Sequence, residues 1–415
     1  MKLGFYIILA AQFLSALADN ALLFAAIALL DLANAPDWHT PLLQEFFVIS
    51  YILLAPFVGS FADALPKGRV MFLSNAIKGL GCVAMLFGMQ PLLAYAIVGI
   101  GGAAYSPAKY GILTEYLPPS QLVKANSWME GSTVAAIVLG AILSGWLVTS
   151  DIVDAAIFHW SPGEGLSAPQ FAIAITTFLY LAAAITNLYI PHVPRDHKLP
   201  KKDPLYVLHD FWHAFKLLWR DPQGQVSLAV TTLFWGAGAT LRLVVITWAM
   251  LTLQYDFEEA TRLTALVAVG IAVGAVFAAR YIRLEHAIKA LPAGIVMGVL
   301  VVAMIYVSDW RIGWILLFLI GALSGFFVVP LNALLQHRGH LLMGAGHSIA
   351  VQNFNENIGI LVLLGAYTLM VKADMPINSI VVIFGLFISL SMSVIYRRYN
   401  SQPFEDRTLI RKTGP

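Results

Sequence analysis

Six ionisable residues stand inside long apolar stretches of this chain: Asp19, Lys78, Lys109, Glu130, Arg242 and Glu356. A charge at the centre of a hydrocarbon layer costs at least about 2.5–3.5 kcal/mol, so such residues persist where they meet a partner or line a polar cavity. Three are acids and three are bases, so they can balance. Asp19, Arg242 and Glu356 fall near the middles of their stretches, and each acid is followed by an asparagine, Asn20 and Asn357. Helical spacing gathers more polar groups around them. Gln12, Ser15 and Asp19 share one face, as do Ser348, Gln352 and Glu356, and Trp235 shares one with Arg242. A guanidinium offers a planar fork of donors suited to a phosphate. A carboxylate beside an amide suits an ammonium or a hydroxylated group. Together these residues would bind a zwitterion, or hold a resting Asp19–Arg242 ion pair with which a ligand competes. Lys109 and Glu130 share a depth nearer the stretch ends, which fits a gate salt bridge or a structural pair below the turn at Pro107. Lys78 is left without an assigned partner.

The elements that must position these groups are membrane spans. The chain has 415 residues, of which 59% are hydrophobic and 12% charged, with a mean hydropathy of +0.77. A soluble domain carries about 25% charged residues. A helix needs roughly 20 apolar residues to cross a core of about 30 Å. Twelve such stretches are expected: 4–32, 43–63, 70–88, 91–113, 125–148 and 169–190, then 225–253, 261–282, 291–308, 312–336, 347–371 and 376–396. Lys2 and Ala16-Leu17-Ala18 imitate a signal peptide, but apolar sequence continues through Leu32, so the first stretch reads as a span. A net charge of +2 gives no reason to expect nucleic acid. The single cysteine, Cys82, cannot form an internal disulfide, no Cys/His metal spacing occurs, and neither cofactor nor metal is expected. The ten histidines fall mostly between spans and suggest no proton relay.

Basic residues set the expected orientation. Lys67, Arg69, Lys124, Arg195, Lys198, Lys201, Lys202, Arg220, Arg280, Arg283, Lys289, Arg338, Arg397 and Arg398 lie in alternate connections or next to the C-terminus; the other connections hold only Arg262, Arg311 and Lys372. Both termini are thus expected in the cytoplasm, and the loop 149–168, with Asp151, Asp154 and Glu164, outside. Trp38, Trp146, Trp310 and Trp314 sit near span ends as interfacial anchors.

The halves read as a parallel repeat. Phe13 matches Phe234 and Pro107 matches Pro330 at nearly the same offset. The expected organisation is a six-helix bundle over 1–190, a linker over 191–223, a second bundle over 224–396 and a basic tail over 397–415. Within the linker, Asp203 and Pro204 read as N-cap and first helical residue. Leu205, Leu208, Phe211, Trp212, Phe215, Leu218 and Trp219 then recur at helical spacing. That pattern suggests an amphipathic helix on the cytoplasmic membrane surface, serving as a spacer and, less directly, as a place to recruit a partner enzyme. Between spans two and three, Gly59 to Arg69 resembles the Gly-x-x-x-Asp-x-x-x-x-Gly-Arg signature of the major facilitator superfamily. Its glycines would let helices approach, and Asp63, Lys67 and Arg69 would form a charge latch. The fold class expected is all-α, twelve transmembrane helices in two six-helix repeats.

A narrower resemblance rests on several stretches. They are Ala11–Ala16 running into Asp19–Phe24, Ala104–Leu113, Leu122–Asn126, Leu233–Gly238 with Arg242, Gly325–Gln336, Ala350–Asn353 and Glu356-Asn357. These resemble the bacterial lysophospholipid transporter family. The resemblance implies an inner-membrane flippase, not an enzyme, that carries lysophosphatidylethanolamine and lysophosphatidylglycerol to the cytoplasmic leaflet for reacylation. It implies a head-group site at Asp19-Asn20 and Glu356-Asn357, and a separate acyltransferase/acyl-carrier-protein synthetase as partner. A monomer working by alternating access is expected. The rival readings are a proton-coupled exporter of drugs or small polar solutes, which the absence of a Gly-Pro pair in Ser132–Trp146 disfavours, and a non-transporting scaffold for the acyltransferase, which would need no costly intramembrane charges.

Overall fold

The computed structural model describes residues 3–35, 39–149, 167–193, 204–255 and 257–401. Trp38, Asp151, Asp154, Glu164, Arg195, Lys198, Lys201, Lys202, Asp203 and the tail from 402 lie outside the described residues. Backbone polar groups in hydrocarbon must be satisfied within the protein, and these apolar stretches do so as helices. They are α1 (Leu3–Leu32), α2 (His39–Ala64), α3 (Lys67–Leu86), α4 (Pro91–Tyr116), α5 (Pro119–Thr149), α6 (Ala168–Leu188), α7 (Pro204–Arg220), α8 (Pro222–Thr252), α9 (Phe257–Tyr281), α10 (Leu291–Ala303), α11 (Trp310–Met343), α12 (Ala345–Lys372) and α13 (Ile377–Asn400). Tight 3-10 turns over Leu284–Ala290 and Met304–Tyr306 extend α10 at both ends. Among the described residues, twelve helical stretches are long and apolar enough to cross a membrane. Pro91, Pro119, Pro204 and Pro222 each open a helix, where the missing N–H costs nothing. The expected limits hold to within a few residues at most ends, but α13 runs on through Arg397 and Arg398, which the charge pattern had placed in the tail.

The repeat inferred from two matched residues is visible in how the helices pack. In the first half, α1 packs on α4 and α6, α2 on α4, and α3 on α4 and α6; in the second, α8 packs on α11 and α13, α9 on α11, and α10 on α11 and α13. Span for span, these five pairings of the first half recur in the second. Glycines set the closest approaches. Gly270 and Gly274 of α9 face Gly321 and Gly325 of α11, where an added Cβ would lie 1.8–2.4 Å from a backbone carbonyl oxygen of the other helix. Paired small-xxx-small faces of this kind bring membrane helices into backbone contact.

Two compact units emerge: residues 1–116, 132–211 and 344–350 form one, and residues 117–131, 212–343 and 351–415 the other. This departs from a simple cut at the linker, because the start of α5 belongs to the second unit and the start of α12 to the first. The first unit is centred on an apolar cluster of Ala18, Leu22, Ala25, Cys82, Tyr95 and Tyr180.

The linker helix forms where the apolar spacing put it, but its apolar stripe packs on protein rather than on a lipid surface alone. Phe211 and Leu218 are fully buried. Trp212 and Phe215 meet the ring of Phe354 edge-on at 6.0 and 6.1 Å, and Trp219 Nε1 donates to Asn355 Oδ1 at 3.2 Å. Leu205 and Leu208 remain exposed.

Candidate functional site

Each unit holds its own polar centre. In the first, α1 is lined with small residues, and Ala11, Ala18, Ala21, Ala25 and Ala26 are buried, so neighbouring helices come close to Asp19. Lys78 of α3 reaches the carboxylate with Nζ 2.8 Å from both Oδ1 and Oδ2. The Tyr180 hydroxyl of α6 donates to Oδ1 at 2.7 Å. Lys78 also donates to Ser15 Oγ at 3.2 Å, and Ser15 in turn to Asn75 Oδ1 at 2.8 Å. The ammonium lies 4.8 Å from the ring centre of Tyr105 and 5.6 Å from that of Tyr180. Room for the lysine stem comes from Gly101 of α4, where a Cβ would fall 2.7 Å from Lys78 Cγ. The lysine side chain is 1% exposed and that of Asp19 28%. Burying the lysine is repaid only with good geometry and extra hydrogen bonds, and it has both, while its partner carboxylate stays partly open.

This corrects the expected pairing. The counter-charge of Asp19 is Lys78, the one intramembrane base that the sequence left unassigned. Arg242 is exposed and makes no ion pair among the described residues. Matching Phe13 to Phe234 ordered Asp19 and Arg242 by depth, but depth says nothing of which way a side chain points around its helix. Gln12 and Ser15 share the Asp19 face as expected, yet both are buried and engaged between helices. Gln12 Nε2 donates to Thr133 Oγ1 at 2.7 Å, and its Oε1 accepts from Ser132 at 3.3 Å.

In the second unit, a chain of amides leads to the other acid. Asn126 and Gln336 exchange two hydrogen bonds of 2.9 Å. Asn332 donates to Asn126 Oδ1 at 3.4 Å, and Gln352 Nε2 donates to Asn332 Oδ1 at 2.8 Å and to Glu356 Oε1 at 2.7 Å. Glu356 is buried. Trp235 is exposed, seven residues from Arg242, and stacks edge-on with Phe234 at 5.4 Å. The two asparagines that follow the acids behave alike: Asn20 Nδ2 donates to Ala16 O at 2.8 Å and Asn357 Nδ2 to Asn353 O at 2.7 Å. Each amide thereby turns its N–H back onto its own helix. The carbonyl oxygens of both accept nothing from the described residues.

A third cluster, in the first unit, surrounds Asp63. Its Oδ1 accepts from Lys67 Nζ at 2.7 Å and from Gly346 N at 2.8 Å; its Oδ2 accepts from His347 N at 3.1 Å and meets His347 Nδ1 at 2.7 Å. The carboxylate thus sits on the first free amides of α12, where a helix favours an anion. Gly344, at φ +92°, makes the turn that starts α12 here, and a Cβ on Gly346 would press on Asp63 Oδ1 at 2.6 Å. Lys67 also reaches Glu115 at 3.1 Å. His347 Nε2 lies 2.9 Å from Asp210 of α7 and 3.0 Å from Ser60 Oγ. Arg69, expected in this latch, is exposed and takes no part in it among the described residues. Lys109, of the first unit, has its ammonium 4.3 Å from the ring centre of Tyr110, and Glu130, of the second, is buried.

Sequence reasoning missed His347, Asp210 and Glu115, and a second buried pair, Asp221 with Arg338. Asp221 caps α8 by accepting from Gly224 N at 2.7 Å and takes Nε of Arg338 at 3.1 Å. The signal available was an Asp directly before a Pro at a helix start; Arg338 looked like an ordinary loop cation.

The family description "Major Facilitator Superfamily" matches residues 8–364. A protein of Serratia proteamaculans named "Lysophospholipid transporter LplT" is 47% identical over 366 residues, which is 88% of each chain. A protein of the same name from Yersinia pestis is 46% identical over 374 residues, 90% of this chain and 88% of that one. Among solved structures, an outward-facing bacterial homologue of the iron transporter ferroportin superposes with a TM-score of 0.74 at 16% identity, covering 97% of this chain and all of that one. The transporter FucP, in its outward conformation, superposes with a TM-score of 0.74 at 14% identity, over 97% and 99% of the two chains. At such identities the solved structures speak to the fold alone.

Proposed function

We propose, from the premise that this chain belongs to the major facilitator superfamily and within it to the lysophospholipid transporters, that it flips lysophospholipids across the bacterial inner membrane by alternating access. Cargo is lysophosphatidylethanolamine and lysophosphatidylglycerol, moved from the outer to the cytoplasmic leaflet for reacylation by an acyltransferase/acyl-carrier-protein synthetase. Both termini face the cytoplasm. The head group contacts Asp19-Asn20 and Glu356-Asn357, with Arg242 supplying a cation for the phosphate and Trp235 an apolar wall beside it. Asp63 with Lys67, and Lys109 with Glu130, gate the path. The observation that carries this reading is the half-open Asp19 carboxylate in the middle of a span: its ion pair with Lys78 is complete, yet it keeps exposed surface that a buried structural pair would not need.

The test is flipping by purified protein in liposomes. Asp19→Asn and Glu356→Gln are each expected to lower the rate at least tenfold, the size expected when one charge-assisted hydrogen bond of about 1.5–3 kcal/mol is lost. Wild-type rates in both variants would reject the site.

A further inference from the structure

We propose that Lys78 sets the head-group selectivity of the first-unit centre. By neutralising Asp19 it leaves the carboxylate as a hydrogen-bond acceptor rather than a bare anion, so cargo is chosen for its N–H or O–H donors and not for positive charge. This rests on reading Asp19 as a head-group contact and says what kind of contact it is.

The geometry carries the argument. An ammonium has three donors. Those of Lys78 are spent on Asp19 Oδ1, Asp19 Oδ2 and Ser15 Oγ, so the lysine offers nothing to cargo directly. It is also held in place: Gly101 leaves just enough space for its stem, and two tyrosine rings flank its head. An ionised carboxylate has about four lone-pair positions. On Asp19, Oδ1 takes Lys78 and Tyr180 while Oδ2 takes Lys78 alone. One acceptor position therefore remains, on the side chain of the pair that is exposed. An ethanolamine ammonium can fill it, and so can a glycerol hydroxyl. A choline group, cationic but without an N–H, cannot. With the pair neutral as a whole, net attraction for a cation is small, and donor chemistry decides.

Removing the lysine charge should reverse that logic. The experiment compares wild type, Lys78→Gln and Lys78→Met in liposomes, measuring apparent KM and maximal rate for lysophospholipids with ethanolamine, glycerol and choline head groups. Wild type is expected to handle ethanolamine and glycerol within about tenfold of each other and choline less well. In the variants, ethanolamine and choline should both gain on glycerol by about tenfold in apparent KM, the change that a single charge-assisted contact gives. A purely structural lysine would slow all three cargoes by one common factor, and that result, or an unchanged order, overturns the proposal. Asp19→Asn with Lys78→Gln restores neutrality and should keep the wild-type order at a reduced rate; an order set by cationic charge in this double variant also overturns it, even where neither single variant accumulates. Asp19→Asn that leaves all three cargoes unaffected would instead remove the head-group reading beneath it.

Discussion

At the scale of single residues, the Asp63 cluster shows why one carboxylate can matter more than its motif suggests. Four donors converge on it, two from backbone amides at the start of α12 and two from cationic or potentially cationic side chains. An asparagine could keep one acceptor oxygen but not both. Losing a partner of a buried ion pair costs about 3–5 kcal/mol. Glu115 still serves Lys67 and Asp210 still serves His347, which holds the loss at the low end of that range. Asp63→Asn is therefore expected to lower the thermal unfolding midpoint in detergent, and Asp63→Ala to lower it further; equal midpoints for wild type and Asp63→Ala would show that the cluster contributes nothing to stability. Asp63 and Lys67 were legible because acid and base at i, i+4 in a short loop stand out against apolar flanks. His347 was not, because a lone histidine at the edge of a span looks the same whether it faces solvent or two carboxylates. The same limit explains the Asp19 pairing. An acid inside a greasy helix is visible at once, but its partner Lys78 lies 59 residues away on α3, and nothing in the spacing of the sequence points from one to the other.

At the scale of elements, the repeat was readable in outline because hydropathy records length, and two matched residues fixed the offset. What the sequence left open was how the helices touch. The α9–α11 contact is the sharpest case, since Gly274 allows the Ala322 carbonyl to come within 1.8 Å of where a Cβ would stand. The obstacle is backbone, so the helices themselves must part. Overpacking of this kind costs about 1–3 kcal/mol, sometimes more. Gly365 of α12 has nothing within 4 Å of the same position. There, replacing glycine by alanine gains roughly 0.5–1 kcal/mol of helix propensity. Gly274→Ala should thus lower the unfolding midpoint while Gly365→Ala leaves it level or raises it, and the reverse order would contradict the packing. The linker helix teaches a related lesson. Its apolar stripe was plain in the spacing of Phe211, Phe215 and Leu218, but a stripe does not say what covers it. Lipid and the Phe354 ring satisfy the same residues equally well, and the choice is made by α12, more than a hundred residues downstream.

At the scale of the whole molecule, parity ties the two ends together. If each of the twelve candidate spans among the described residues crosses once, their even number puts the N-terminal end of α1 and the C-terminal end of α13 on one side of the membrane, whichever side that is. The sign of the orientation then rests on the basic residues alone, which favour the connections after every second span. Superposition on other superfamily members leaves this untouched, because a fold looks the same from either face of a bilayer. The chain is suited to a direct measurement, since its only cysteine, Cys82, is buried in the first unit. A cysteine introduced at exposed His286, between α9 and α10, tests one side, and one at exposed Ser308, between α10 and α11, tests the other. With the outer membrane made permeable and the inner membrane intact, a membrane-impermeant maleimide is expected to label Ser308→Cys and to reach His286→Cys only after the inner membrane is opened. The opposite order would put both termini outside and turn the direction of lysophospholipid movement into a separate question from the architecture of its site.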